Sequence, residues 1–164
     1  MQIYTSAQET SPNYSLDEMT QLLQARDRLL AIWDSTLKRE CVIKSPKALV
    51  DYYQLVFGYD GLESFFVSYL DAKHQVIATH REFSGTVNEV RAYPRVIARR
   101  ALQHDAVAVV LAHCHPSGHA EPSQSDLRTT TEIKNGLELL NISVLDHIIV
   151  ARKNHYSFAE HGLL

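Results

Sequence analysis

The run Ala106-Val107-Ala108-Val109-Val110-Leu111-Ala112-His113-Cys114-His115-Pro116-Ser117-Gly118-His119-Ala120-Glu121-Pro122-Ser123-Gln124-Ser125-Asp126 decides the reading of this chain. Its first third is continuously apolar and of strand length, as a strand covered on both faces should be. Residues i and i+2 of an extended strand point to the same side, so His113 and His115 can face one ion together. Pro116 cannot donate to a sheet ladder and Gly118 permits a tight turn, so the chain leaves the sheet there. Ser123-x-x-Asp126 then reads as a helix start, with Ser123 at the N-cap and Asp126 at the third helical position. The intervening loop, 116–122, is long enough to fold that helix start back over the strand end. Two nitrogens and one oxygen would then converge. Three protein ligands and an open position are the layout of a catalytic zinc site. Each part also has a plainer reading. Ser-x-x-Asp is a capping box, and strand histidines are often satisfied by ordinary hydrogen bonds.

The flanking sequence predicts the layers around this strand. After the motif, a helix from Gln124 to Leu140 offers Leu127, Thr131, Ile133, Leu137 and Leu140 to the core, and Asn141 can end it. Ile142–Val150 is a further apolar strand, broken by Asp146-His147; these two either hydrogen-bond or line the site, and a buried structural histidine is the favoured role of His147. Arg152–His155 reads as a turn and Tyr156–Phe158 as a last strand. Upstream, Ser45-Pro46 starts a helix carrying Leu49, Tyr52, Tyr53 and Val56 inward to an end near Gly58. Glu63–Leu70 and about His74–Glu82 read as a hairpin turning at Asp71–Lys73. Tyr93-Pro94 opens a helix to about Gln103, with Val96, Ile97, Ala101 and Leu102 inward and Arg95, Arg99 and Arg100 forming a basic outer face. That face is solvated, pairs with acids elsewhere, or forms a local patch for DNA phosphates.

The first 41 residues read as a separate arm and helix, and 42–164 as the main domain. Residues 1 to about 15 are polar, and Ser15 can cap a helix from Leu16 to about Lys38. Its stripe is Met19, Leu22, Leu23, Leu29, Leu30, Trp33 and Leu37, interrupted by Arg26. Two readings stand for it: a helix that packs on the domain by a partial face, or a contact between two copies of the chain in a homodimer. The pattern as a whole predicts an α/β (α+β layered) domain with a mixed, mostly antiparallel sheet flanked by helices.

Composition fits a soluble domain. The 164 residues are 45% hydrophobic and 21% charged, with a net charge of −3, so no whole-molecule field attracts nucleic acid. The two cysteines, Cys41 and Cys114, do not make a disulfide framework, and no basic, apolar leader opens the chain. A cytoplasmic location is the expectation, with no membrane span.

Taken together, His-x-His-Pro-Ser-Gly-x-x-x-Pro-Ser-x-x-Asp resembles the metal motif of the JAMM/MPN metallopeptidases, in the form carried by RadC-type bacterial proteins. The resemblance covers roughly residues 42–164. It includes Glu63 at a strand start, Phe83–Val87, Tyr93-Pro94-Arg95, and Leu145-Asp-His-Ile-Ile-Val150 with Tyr156-Ser-Phe158. It departs at Cys114, where RadC-type sequences usually carry Asn. The helical, DNA-binding-like region ahead of this domain in RadC proteins also has no counterpart here.

The resemblance implies an MPN fold, cytidine-deaminase-like in layout, and a zinc ion held by His113, His115 and Asp126. It implies Glu63 as general base, ahead of the weaker rivals Glu82 and Glu89, and the Ser123 hydroxyl as a donor to the oxyanion. The implied activity is hydrolysis of a peptide or isopeptide bond in an unknown peptide or protein substrate. Two other readings come with the family: a DNA-repair-associated protein touching DNA through Arg95, Arg99 and Arg100, and a non-catalytic MPN binding module. Cys114 alternates with the histidines and should point away from the metal.

Overall fold

A computed structural model describes residues 15–37, 41, 46–57, 63–84, 93–152 and 154–164. The helix cap at Ser45, the helix end at Gly58, the Gly85–Val87 part of the rim segment, Glu89, and most of the 1–15 arm and of the Arg39–Lys44 link lie outside those residues.

The described chain folds as α1 (Leu16–Leu37), α2 (Pro46–Phe57), β1 (Ser64–Leu70), β2 (Val76–Ser84), α3 (Pro94–Gln103), β3 (Ala108–Cys114), α4 (Gln124–Glu138), β4 (Ser143–Ala151) and β5 (Asn154–Ser157). The strands form one sheet in the order β2-β1-β3-β4-β5, in which only β3 and β4 run parallel. The mixed, mostly antiparallel sheet is therefore as the sequence pattern predicts. β3 occupies the middle, which is why its residues 108–112 are apolar without alternation: both faces are covered.

Period-two alternation divides the core into two layers. On one face, Ala108, Val110 and Ala112 of β3 pack with Leu49, Tyr53 and Phe57 of α2. On the other, Val109 and Leu111 pack with Ile97 and Ala101 of α3 and Ile133 and Leu137 of α4. The result is a helix–sheet–helix sandwich, and His113 falls on the α3/α4 face by the same alternation. Burying one such Leu or Ile side chain contributes ~1.5–3 kcal/mol.

The β1–β2 turn is held by Asp71, whose Oδ1 accepts from the backbone N–H of Lys73 and Gln75 at 2.8 and 2.9 Å. Asn141 adopts φ +57 and ends the α4 segment, as expected of a residue that tolerates the left-handed region.

Among the sequence expectations, α1 packs by a partial face as read, and two others are corrected. In α1, Leu30 and Trp33 pack on the α2 side, while Met19, Leu22, Leu23 and Leu29 are about half exposed. Helical period identifies a face but not whether anything covers it. In α4 the buried threonine is Thr130, while Thr131 and Leu140 are exposed; in α3, Leu102 is exposed. Finally, Asn154 and His155 belong to β5, so the turn before it is shorter than Arg152–His155.

Candidate metal centre

The centre forms at the C-terminal end of β3. β1 runs antiparallel to it, and Phe65 pairs with His113, so the start of β1 lies beside the end of β3. Continuing that register sets Glu63 opposite His115. Beyond His115 the chain turns: the Gly118 N–H donates to the His115 carbonyl at 3.1 Å, and Gly118 has φ +86, a conformation costly for any residue with a Cβ. The loop then delivers α4 with its N-terminus at the strand end.

Ser123 caps α4 as predicted. Its Oγ accepts from the Asp126 N–H at 3.2 Å, and its N–H donates to Asp126 Oδ2 at 2.7 Å. The Ser123 hydroxyl proton also goes to Asp126 Oδ2, at 2.6 Å. This reciprocal box fixes the Asp126 carboxylate, and the carboxylate reaches both histidines. Asp126 Oδ1 lies 3.3 Å from His113 Nε2, and Asp126 Oδ2 lies 3.5 Å from His115 Nε2. The two Nε2 atoms are 2.9 Å apart. Glu63, His113 and His115 also form a trio with ligand atoms within 4.8 Å of one another, a candidate metal-binding triad. The two trios share the histidines, so the Glu63 and Asp126 carboxylates both lie close to the imidazole pair.

Hydrogen-bond direction tests whether a cation suits that point. His115 Nδ1 lies 2.8 Å from the His119 carbonyl, which can only accept, so Nδ1 carries the proton. In a singly protonated His115 the Nε2 lone pair therefore faces His113 Nε2 and Asp126. A tetrahedral ion with bonds of ~2.0–2.1 Å has ligand atoms ~3.3 Å apart. The two imidazole nitrogens, 2.9 Å apart, lie close to that value, and Asp126 meets them with different oxygens, Oδ1 at 3.3 Å from His113 and Oδ2 at 3.5 Å from His115. The donor set of two imidazoles and a carboxylate fits a borderline cation such as zinc.

The electrostatics agree. Burial pushes the Asp126 carboxyl up, but the contacts with His113 and His115 outweigh it and hold the group well below the usual carboxylate range. The Asp126 contact in turn raises the His115 pKa against the effect of burial. Such reciprocal shifts mark a site where a positive charge is welcome.

The remaining sequence candidates fall into place. Cys114 packs against the α2-side core, as alternation predicts, and burial raises its thiol pKa. His119 contributes its carbonyl, and its side chain is exposed. Glu82 is not a rival base: its carboxylate is buried, accepting from the Tyr69 hydroxyl at 2.6 Å and pairing with Arg100 at 3.0 Å. Arg100 is thereby drawn away from the basic outer face, leaving Arg95 and Arg99 exposed, with Arg95 over the Tyr93 ring.

The sequence leaves His147 as a buried structural histidine ahead of one that hydrogen-bonds or lines the site, and it gives no sign of Thr130. His147 is 1% exposed and lies 2.8 Å from His113. Burial, then the neighbouring His113, lowers its pKa well below the usual histidine value. The available signal was a histidine interrupting an apolar strand.

A family model described as a RadC-like JAB domain matches residues 43–163. A UPF0758 protein of Ralstonia nicotianae is 46% identical over 138 residues, covering 82% of this chain and 62% of that protein. A UPF0758 protein of Methylibium petroleiphilum is 44% identical over 147 residues, 90% of this chain and 65% of its own length. One of Pseudomonas putida is 39% identical over 145 residues, 88% of this chain and 63% of its own. The chain thus spans less than two thirds of the length of these relatives. With a family match over most of its length and relatives well above 30% identity, the chain belongs to the RadC-like JAB domain family.

Proposed function

We propose that this domain is a zinc-dependent hydrolase of the JAMM metallopeptidase type, cleaving an amide bond in a peptide or isopeptide linkage. The observation that carries the reading is the approach of His113 Nε2, His115 Nε2 and the Asp126 carboxylate to one another within 2.9–3.5 Å, with the Glu63 carboxylate grouped with the same two histidines. Asp126 is assigned as the ligand because its box with Ser123 aims it at both imidazoles. When bound, zinc would acidify a water and polarise a carbonyl.

The chain's own groups handle the protons. Glu63, half-buried at the head of β1, accepts one from the attacking water and later delivers it to the departing amine. Ser123 supports the oxyanion. Its proton rests on Asp126 Oδ2, and rotation about Cβ–Oγ turns it towards substrate while Oγ keeps accepting from the Asp126 N–H. The reading as a non-catalytic binding module is less favoured, because every group this chemistry needs is present. A DNA-associated role is also less favoured. Two exposed arginines, Arg95 and Arg99, against a net charge of −3, make a small electrostatic footprint.

The test is a screen of peptide and isopeptide-linked substrates with zinc-loaded wild type beside Glu63→Gln. The expected result is hydrolysis that Glu63→Gln lowers by ~10²–10⁴ while still holding zinc. Equal rates in both proteins would remove Glu63 from the mechanism.

A further inference from the structure

A chain of hydrogen bonds runs from the backbone of α4 through the sheet to the centre, and its direction can be worked out atom by atom. Thr130 Oγ1 lies 2.6 Å from the Asp126 carbonyl. A carbonyl only accepts, so the single hydroxyl proton of Thr130 is spent there. Thr130 Oγ1 also lies 2.6 Å from His147 Nδ1 and must accept that bond, so His147 Nδ1 carries a proton. His147 is 1% exposed, and burial among aromatic rings favours an imidazole with one proton only. Its Nε2 therefore has a lone pair, and it accepts from His113 Nδ1 at 2.8 Å. His113 is left with its Nε2 lone pair directed at His115 and Asp126.

The rings are held as firmly as the bonds. Phe65 stacks on His113 at 6.0 Å between centroids and touches His147 at 5.5 Å. Phe158 stacks on His147 at 4.7 Å between centroids, and its N–H donates to the His147 carbonyl at 3.0 Å. Asp146 fastens that segment. Its carboxylate accepts from the Ser157 hydroxyl at 2.7 Å and the Ala159 N–H at 3.0 Å. The C-terminal strand and turn thus act as a clamp on one imidazole.

We propose that Thr130 and His147 are positioning residues of the metal centre, a relay that fixes the tautomer and aim of His113 so that its Nε2 is ready for the ion. The inference rests on the metal reading above and adds to it groups that touch neither metal nor substrate. Outer partners of this kind orient a ligating imidazole and raise its basicity.

The experiment measures zinc affinity by competition with a chelator, together with the melting temperature of the zinc-free protein. Thr130→Val keeps the shape but loses the hydroxyl; it is expected to weaken zinc binding ~10–100-fold, and Thr130→Ser to restore it. A second pair guards against a folding defect. His147→Gln, whose amide oxygen can still accept from His113, is expected to bind zinc more tightly than His147→Leu. Nitrogen-15 spectra of the imidazoles in zinc-free wild type are expected to show His113 and His147 each protonated at Nδ1. Wild-type affinity in Thr130→Val, with only the melting temperature lowered, would overturn the relay and leave a merely structural threonine. Spectra showing His113 protonated at Nε2 alone would overturn it too. If wild type itself binds no zinc, the metal reading falls and the relay falls with it.

Discussion

Ser123→Ala separates two roles placed on one hydroxyl. In the structure Ser123 Oγ accepts from the Asp126 N–H at 3.2 Å and donates to Asp126 Oδ2 at 2.6 Å. The substitution removes both bonds and leaves the Ser123 N–H on Asp126 Oδ2 at 2.7 Å. Ser123 is exposed, so water replaces part of what is lost, and the cost is that of an N-cap, ~1 kcal/mol, rather than two full hydrogen bonds. For a domain of this size that lowers the melting temperature by ~2–4 °C. Ser123→Gly should cost only a few tenths of a kcal/mol, because glycine is a tolerable cap. The metal ligands are untouched, so zinc stoichiometry should not change. Turnover should fall by ~10²–10³, far more than the cap accounts for, if the hydroxyl also serves the oxyanion. The assays are thermal melting by circular dichroism, metal analysis, and hydrolysis of a substrate found by screening. An unchanged melting temperature in the alanine variant, or a glycine variant less stable than the alanine one, would refute the capping argument. A turnover loss no larger than about twofold would refute the oxyanion role.

Other outcomes follow from the same geometry. Cys114→Ser should leave zinc content and affinity unchanged, because the thiol lies in the α2-side core; loss of zinc would mean that Cys114 is a ligand. The zinc-dependent rise in melting temperature should shrink as pH falls from about 8 to 6, because protons compete with zinc for the histidines. The folded, zinc-free chain has His115 raised by Asp126, so its protonated form adds stability fully present below the unfolded pKa and lost as pH rises through the folded one. His147 acts with the opposite sign: its pKa is lowered by burial, so it costs the fold stability as pH drops below ~6.5. A zinc-induced shift that stays constant across that range would contradict the assignment of His115.

Much of this was readable from local pattern. A central strand must be apolar on both faces, so residues 106–112 announced β3, and the alternation that sent Val109 and Leu111 one way carried His113 with them. The Ser123–Asp126 box is local in sequence and appeared as predicted. What was not readable was distant in sequence. Arg100 sits on a helix face that pattern reads as solvated or paired with acids elsewhere; that the acid is Glu82 of β2 is not written in either stretch. The α1 stripe has the right period, but period alone does not say that Leu30 and Trp33 pack while Met19, Leu22, Leu23 and Leu29 stay about half exposed. His147 looked structural because its partner His113 lies on the neighbouring parallel strand, and nothing in either stretch fixes that pairing. Thr130 and Thr131 are adjacent threonines in one helix, and a rotation of ~100° per residue decides which of them meets His147.

The central claim is that His113, His115 and Asp126 bind one metal ion. The most direct measurement is elemental mass spectrometry of purified protein after incubation with zinc and removal of the excess, for wild type, His113→Ala and Asp126→Ala. The account predicts about one zinc per chain in wild type and its loss from both variants. A wild type that stays free of zinc, or variants that keep the wild-type content, would contradict it.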